Sequence, residues 1–288
     1  MNSQTSVLFD APGPKAAARH RIYTVLAALL LLGALAYMAL RLYQQDQFEY
    51  VKWEPFLTPS YIQTILVDGV VETLKMAFTA IILAVAFGVL FGIGKLSDHG
   101  SVRWPSWVVV EFWRAVPVLL SMIFIWTLLG IENDSSSYWA VVIALTFYNG
   151  AVLAEVFRAG VNAVPHGQAE AAYAIGMRKT QVMMTILLPQ AVKIMLPAII
   201  SQCVVALKDT ALGYAVLAPG LTRVGRLIYS DIDFQQNQIP TVFVIALIYI
   251  VLNLILSALA TWVQRRFVGE KKILQVAMVG EEELAKPT

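Results

Sequence analysis

The sequence predicts an all-α membrane protein with about six transmembrane helices. Of its 288 residues, 58% are hydrophobic and only 14% are charged, whereas soluble domains carry about 25% charged residues. Several apolar runs reach the roughly 20 residues that a helix needs to cross a bilayer. The runs do not alternate as barrel strands do. Helices are therefore expected, because they pair every backbone group within the segment.

The first apolar run, residues 22–42, follows Arg19, His20 and Arg21. A cleaved signal peptide is one alternative, since Ala34-Leu35-Ala36 resembles a cleavage site. The run continues past that point and exceeds the usual apolar region of a signal peptide. A retained helix is therefore the favoured interpretation. The five further runs cover residues 73–93, 106–129, 138–157, 187–207 with a continuation to 216, and 239–263.

The distribution of Lys and Arg predicts the orientation, because short cytoplasmic loops carry an excess of these residues. With six spans, the two tails, the second-to-third connection and the fourth-to-fifth connection share one side and hold most of the bases. The connection "GIENDSSS" on the other side has none. Both termini are therefore predicted to be cytoplasmic. Residues 1–21 and 268–288 are predicted to be cytoplasmic tails, the first of them disordered.

Composition argues against several other functions. A net charge of +2 does not suggest nucleic-acid binding. One cysteine, Cys203, excludes a disulfide framework within the chain. The three histidines are scattered, so no metal site is expected. The phosphate-binding pattern G-x-x-x-x-G-K-[ST] does not occur, so the chain is not expected to be an enzyme that hydrolyses ATP.

The stretch "EAAYAIGMRKTQVMMTILLP", residues 170–189, is unusually polar for this chain. Its alanines favour a short helix, and Gly176 is a good helix stop. A second helical piece is then expected to re-enter the membrane, with Pro189 at the boundary. Small side chains on a surface helix allow another protein to approach closely. The residues alone leave an ordinary interfacial hairpin open as the alternative.

This spacing resembles the EAA motif of the membrane subunits of ATP-binding-cassette (ABC) importers. Matching positions are Glu170, Ala171, Ala172, Gly176, Ile186, Leu188 and Pro189. The segments "DGVVETLKMAF", "FWRAVPVLL", "AEVFRAGVNAVPHGQAEAA", "LKDTALGYAV" and "LTRVG" resemble permeases for polar amino acids. The resemblance implies a five-helix type I importer core over residues 64–267, a cytoplasmic coupling loop over 160–189 and an additional N-terminal span over 22–42. It also implies that Glu170, Ala171, Ala172, Gly176 and Pro189 dock an ATPase.

The family further implies several partners: a dimer of ATP-binding subunits that holds ATP and Mg, a second permease subunit and an extracytoplasmic solute-binding protein. The expected cargo is a polar amino acid, with glutamate, aspartate or glutamine favoured, and the expected location is the bacterial plasma membrane, in contact with lipid. The chain departs from the family pattern at Ala115-Val116, Ala211 and Pro219-Gly220, which bears on substrate identity. An ion-coupled secondary amino acid transporter is the main alternative, and a membrane-embedded enzyme is a second one.

Charged residues at membrane depth are costly and usually face the bundle interior or water. Lys208, Asp209 and Thr210 are candidates for the translocation path, with a structural ion pair as the alternative. Two Glu–Arg pairs at three-residue spacing can each form a salt bridge within one helix. From these pairs, Arg114 and Glu155 are path candidates, as is the polar Asn149. Pro117 predicts a kink near Arg114.

Overall fold

The computed structural model describes residues 14–131, 134–234 and 237–268, and this part of the chain is helical without β-strands. Five of its helices are long and apolar enough to cross a membrane, and a bent pair of shorter helices would provide a sixth. The predicted all-α membrane fold with about six spans is confirmed. Residues 1–13 and 269–288, most of the two predicted tails, lie outside the described residues.

The helices follow one another with short connections. They are α1 (Pro14–Gln44), α2 (Tyr50–Trp53), α3 (Pro59–Thr64), α4 (Glu72–Lys95), α5 (Gly100–Ala115), α6 (Val118–Leu129), α7 (Asp134–Asn162), α8 (His166–Ala174), α9 (Lys179–Gln181), α10 (Leu188–Asp209), α11 (Leu221–Ser230) and α12 (Gln238–Val268). Wider π-helical turns at Ile65–Val71 and Val182–Leu187 join α3 to α4 and α9 to α10, and tighter 3₁₀ turns follow α2, α10 and α11.

The helices α4 and α7 form the central pair of the bundle. Their backbones approach closely because Gly88 and Gly92 lie at the contact. A Cβ atom on Gly88 would lie 2.7 Å from the Cβ of Leu153, and one on Gly92 would lie 2.9 Å from the Cβ of Phe157. Small residues at such contacts are typical of membrane helices, where close van der Waals packing drives association.

Helix α1 begins at Pro14, so the part of the predicted tail that the structure describes is helical rather than disordered. Proline is well suited to the first turn of a helix, where its missing N–H needs no partner. The alanines that follow favour continuation. None of the apolar window of α1 is buried inside the chain. This helix therefore lies apart from the core formed by α4 to α12.

The predicted span 106–129 is not one continuous helix. It is divided into α5 and α6, whose axes differ in direction by 100°. The helix α5 ends where Val116 donates its N–H to Phe112, and Pro117 follows without an N–H to continue the ladder. The kink that Pro117 predicts near Arg114 is present, two residues later, at Val116. The continuous span was wrong, because Val116 adopts extended backbone and turns the chain sharply.

Pro189 lies in the first turn of α10, and the chain is continuously helical over Lys179–Val216. That the membrane boundary lies at Pro189 stays a prediction. A proline ring clashes with the carbonyl four residues earlier. The chain accommodates it with the π-helical turn before it, where the Leu188 N–H reaches back to the Met183 carbonyl. The helix therefore enters the apolar region with a local widening instead of a break.

Two ends of the bundle can be distinguished. The coupling end contains the last residues of α4 and α7, the charged residues of α5 and the first residues of α9. The opposite end contains the start of α4, the start of α7 and all of α11. At the opposite end, the Thr73 hydroxyl accepts the Leu221 N–H at 3.0 Å, and Arg223 pairs with Asp134 at 2.6 Å.

Candidate functional site: the coupling loop and its charge network

The coupling loop is built on the short helix α8 and a left-handed glycine. The Gly176 backbone has φ of +84°, a conformation that side chains with a Cβ rarely adopt. The Gly176 N–H bonds to the Tyr173 carbonyl at 2.9 Å, and the Met177 N–H bonds to the Ala172 carbonyl at 3.2 Å. These bonds end the helix and turn the chain toward α9. The predicted helix stop at Gly176 is confirmed.

The residues of the EAA pattern differ in accessibility. Glu170, Ala171, Gly176 and Pro189 are exposed. Ala172 is only 5% exposed, and it is the one buried residue in the described α8. The helix packs on the Val182–Leu187 turn. Ala172 therefore anchors α8 on its own chain, while Glu170 and Ala171 remain available to a partner.

Two large apolar side chains on the coupling loop are exposed, and sequence reasoning missed both. Tyr173 and Ile175 protrude from the end of α8, and Ile175 is 79% exposed. Buried aromatic and aliphatic anchors dominate many protein interfaces. Their position inside the EAA stretch places them near a possible partner surface, but the sequence does not show which side of α8 is exposed. This exposed surface of Glu170, Ala171, Tyr173 and Ile175 is called the α8 face below.

The coupling loop is tied to the turn between α4 and α5. The Lys179 ammonium forms a salt bridge with the carboxylate of Asp98. This partner lowers the pKa of Asp98, first through the hydrogen bond and then through charge attraction. Both side chains are accessible to water, so the pair orients the loop more than it stabilises the fold.

A network of charges joins α4, α5 and α7 at the coupling end. The Lys95 ammonium lies 2.7 Å from Glu155 and 3.1 Å from Glu111. Arg114 pairs with Glu111 at 3.0 Å, and Arg158 pairs with Glu155. The predicted pairs within each helix therefore exist, but Lys95 links them. Its side chain is only 5% exposed, so the shared ammonium is the centre of the network.

Asn149 lies apart from this network and binds α10. Its side-chain oxygen accepts a hydrogen bond from Gln202 at 2.5 Å, and its amide nitrogen donates to the Leu145 carbonyl at 3.0 Å. The residue is almost fully buried. Asn149 therefore connects two helices within the chain, and its role in a translocation path stays a prediction.

The "KDT" segment lies where α10 changes to a 3₁₀ turn. The Lys208 side chain is exposed and forms no salt bridge or hydrogen bond with the described residues, whereas Asp209 is half-buried beside it. Thr210 is buried; its hydroxyl donates to the Leu207 carbonyl at 2.6 Å and lies 3.3 Å from the Tyr249 hydroxyl. Lys208 and Asp209 remain candidates for contact with cargo. Their path role, like that of Thr210, stays a prediction.

The chemistry available in the described part of the chain is electrostatic and polar. No group of three His, Cys, Asp or Glu side chains there has the geometry to hold a metal ion. Cys203 is a free thiol. The groups that converge are cations, carboxylates and amides, which are suited to holding and orienting partners and polar solutes.

The sequence matches the family described as "Binding-protein-dependent transport system inner membrane component" over residues 59–269. It is 41% identical to the "Glutamate transport system permease protein GluD" of Corynebacterium glutamicum over 241 residues, which cover 82% of this chain and 87% of that protein. It is 29% identical to the "Glutamate/aspartate import permease protein GltK" of Escherichia coli O157:H7 over 70% of this chain and 92% of that protein.

Solved structures agree in fold. A crystal structure of "an amino acid ABC transporter with histidines" superposes with a TM-score of 0.65 at 30% identity, covering 72% of this chain and 95% of that chain. An inward-facing structure of the "MetNI methionine ABC transporter" superposes with a TM-score of 0.62 at 20% identity, covering 73% of this chain and 99% of that chain. The second similarity concerns the fold alone.

The matched region contains the central helix pair, the coupling loop and the charge network. The comparisons support an importer permease and give no support to an ion-coupled secondary transporter. The chain therefore belongs to the binding-protein-dependent transport system inner membrane components, the permease subunits of ABC importers.

Proposed function

We propose that the cargo of this permease is an acidic amino acid or its amide, with L-glutamate the first choice. The observation that carries this proposal is the 41% identity to a glutamate transport permease across most of both chains. The charges in the described site do not select a cargo by themselves, because acids and bases occur together in it. The relatives named for glutamate and aspartate import favour the same class.

The α8 face is the proposed docking surface for a separate ATPase dimer, which binds ATP and Mg. The left-handed turn at Gly176 and the buried Ala172 hold α8 in place. Glu170, Ala171, Tyr173 and Ile175 are accessible. A small, rigid helix with one carboxylate and two apolar anchors fits a groove on another protein.

The remaining partners follow from the proposed importer. A second permease subunit, either a copy of this chain or a homologue, completes the pathway, and an extracytoplasmic solute-binding protein delivers cargo. The coupling end faces the cytoplasm, as do both termini, in a bacterial plasma membrane. The excess of Lys and Arg on that side supports this orientation.

The proposed mechanism is alternating access. Closure of the ATPase dimer moves α8, and the Lys179–Asp98 pair transmits part of this motion to the turn between α4 and α5. The Lys95 network then carries it to α5 and α7. Rigid helices that rock together are an established way to couple distant sites. Lys208 and Asp209 are the proposed contacts for cargo.

Reconstitution tests the proposed function. Vesicles that contain this chain, its ATPase and its solute-binding protein should accumulate labelled L-glutamate only with ATP, and aspartate or glutamine should compete. An ATPase unable to hydrolyse ATP is the matched control. Uptake that persists with the inactive ATPase would contradict the importer. ATP-driven uptake of arginine without uptake of glutamate would leave the importer intact and contradict the cargo.

A further inference from the structure

A cavity of about 500 Å³ opens at the coupling end between α4, α5 and α7. Its volume is within the range of about 300–1,000 Å³ that is typical of small-molecule sites. The side chains that form it are Lys95, Arg103, Trp104, Trp107, Glu111, Glu155 and Arg158, together with Gly100. It is distinct from the α8 face.

The lining has an excess of positive charge. Three cationic side chains and two carboxylates face the cavity, so the lining has a net charge of +1. Glu111 and Glu155 are already held by Lys95 and by arginines of their own helices. The backbone N–H of Arg103 donates to the His99 carbonyl, but its guanidinium forms no salt bridge or hydrogen bond with the residues that the structure describes, and its charge helps to lower the pKa of Asp98 nearby. Its guanidinium is free to bind an anion, and planar guanidinium is well matched to phosphate.

An exposed apolar stripe continues from the mouth of the cavity along α5. Trp104, Trp107, Val108 and Phe112 are all exposed. They are spaced by three, one and four residues, so they share one face of the helix. Tryptophan is enriched at the membrane interface, where its ring lies between headgroups and acyl chains. A soluble anion has no apolar part to contact this stripe, whereas the acyl chains of a lipid would cover it.

We propose that the cavity binds the headgroup of an anionic glycerophospholipid. Arg103 and Arg158 hold the phosphate, and the acyl chains lie along Trp104, Trp107 and Phe112. Basic pockets between transmembrane helices are known to hold lipid headgroups. Since Lys95, Glu111 and Glu155 join α4, α5 and α7 beside the cavity, the bound lipid supports the junction that the proposed mechanism moves. The lipid proposal itself does not depend on which amino acid is carried.

The test measures lipid retention by the permease assembled with its ATPase. The complex is purified from mixtures of phosphatidylglycerol and phosphatidylcholine, and bound lipid is counted by native mass spectrometry. The wild type should retain phosphatidylglycerol in preference to phosphatidylcholine. Arg103→Gln should weaken retention about fivefold, the factor that one base near the membrane surface contributes, and Arg103→Lys should restore most of it. Lys193→Gln, an exposed base on α10 outside the cavity, is the matched control.

Three results would overturn the proposal. Equal losses in Arg103→Gln and Lys193→Gln would indicate general surface attraction. Millimolar glycerol phosphate or glutamate has no acyl chains to cover the apolar stripe on α5. If either displaced phosphatidylglycerol from the wild type, the cavity would be a site for a soluble anion. Cross-linking of Trp104→Cys to the second permease, with no lipid retained, would show that a protein surface covers the cavity.

Discussion

The ammonium of Lys95 lies 2.7 Å from a carboxylate oxygen of Glu155, a residue 60 positions later in the chain. This contact joins the end of α4 to α7 at the coupling end, and the same ammonium holds Glu111 of α5. Because the Lys95 side chain is only 5% exposed, water screens the contact weakly. The salt bridges between these three helices therefore converge on one lysine.

Replacing Lys95 with methionine should weaken the junction. Each of the two glutamates loses one charged partner but keeps an arginine. We therefore expect the free energy of unfolding to fall by about 1.5–3 kcal/mol. Thermal unfolding of the purified permease measures it. The matched control is Lys75→Met, since Lys75 is also on α4 and also binds a glutamate, but is 59% exposed. If the midpoint of thermal unfolding fell equally in the two variants, the central role of Lys95 would be contradicted.

Alanine at Gly88 should disrupt the α4–α7 pair. Its Cβ would lie 2.7 Å from the Leu153 Cβ and 3.2 Å from the Ala154 backbone nitrogen, and backbone cannot move aside cheaply. We expect the free energy of unfolding to fall by about 1–3 kcal/mol, which is measured as a lower midpoint of thermal unfolding. Gly33→Ala is the control, because nothing lies within 4 Å of its Cβ position. An unchanged midpoint for Gly88→Ala would mean that the helices are farther apart.

Gly176→Ala should loosen the end of α8 through backbone conformation alone. There is open space around the new Cβ, but φ of +84° costs an L-residue about 1–2 kcal/mol. Hydrogen exchange of the α8 amides should become faster. Gly167→Ala, at the start of α8, also has open space and an ordinary φ, so its α8 amides should exchange no faster. Identical exchange in both variants would contradict the left-handed turn.

The pair of Asp98 and Lys179 predicts a pH effect on the coupling loop. Because the folded pKa of Asp98 is lowered from 3.8, the pair supports the loop above about pH 4 and loses this support as pH falls through the lowered pKa. Asp98→Asn should speed amide exchange around Lys179 at neutral pH. The difference from the wild type should vanish once the pH falls below the lowered pKa of Asp98. A difference that persists in acid would assign the effect to something other than this pair.

Much of this arrangement was readable from local sequence. The apolar runs predicted the spans, and Gly176 predicted the end of α8, because both signals depend on neighbouring residues. The three-residue spacing of Glu111 and Arg114 predicted their salt bridge for the same reason. Pro117 predicted a kink, but the 100° change of direction depends on how α6 packs against α7.

The features that the sequence did not reveal are tertiary contacts between helices. Lys95 is one of the bases of the second-to-third connection that predict orientation, and nothing in the neighbouring sequence shows that it reaches Glu155 of another helix. The exposure of Tyr173 and Ile175 could not be predicted either. Their exposure depends on which side of α8 packs on the Val182–Leu187 turn. Ala172 lies on that side and is buried.

We infer that the α8 face connects this permease to its ATPase. The most direct measurement compares Ile175→Asp with Ile232→Asp. Ile175 is 79% exposed on the coupling loop and Ile232 is 80% exposed after α11, at the opposite end. We expect Ile175→Asp to lose both copurification of the ATPase and ATP-driven uptake of labelled L-glutamate, with normal membrane insertion, and Ile232→Asp to retain the ATPase. Normal ATPase binding and normal uptake by Ile175→Asp would contradict it.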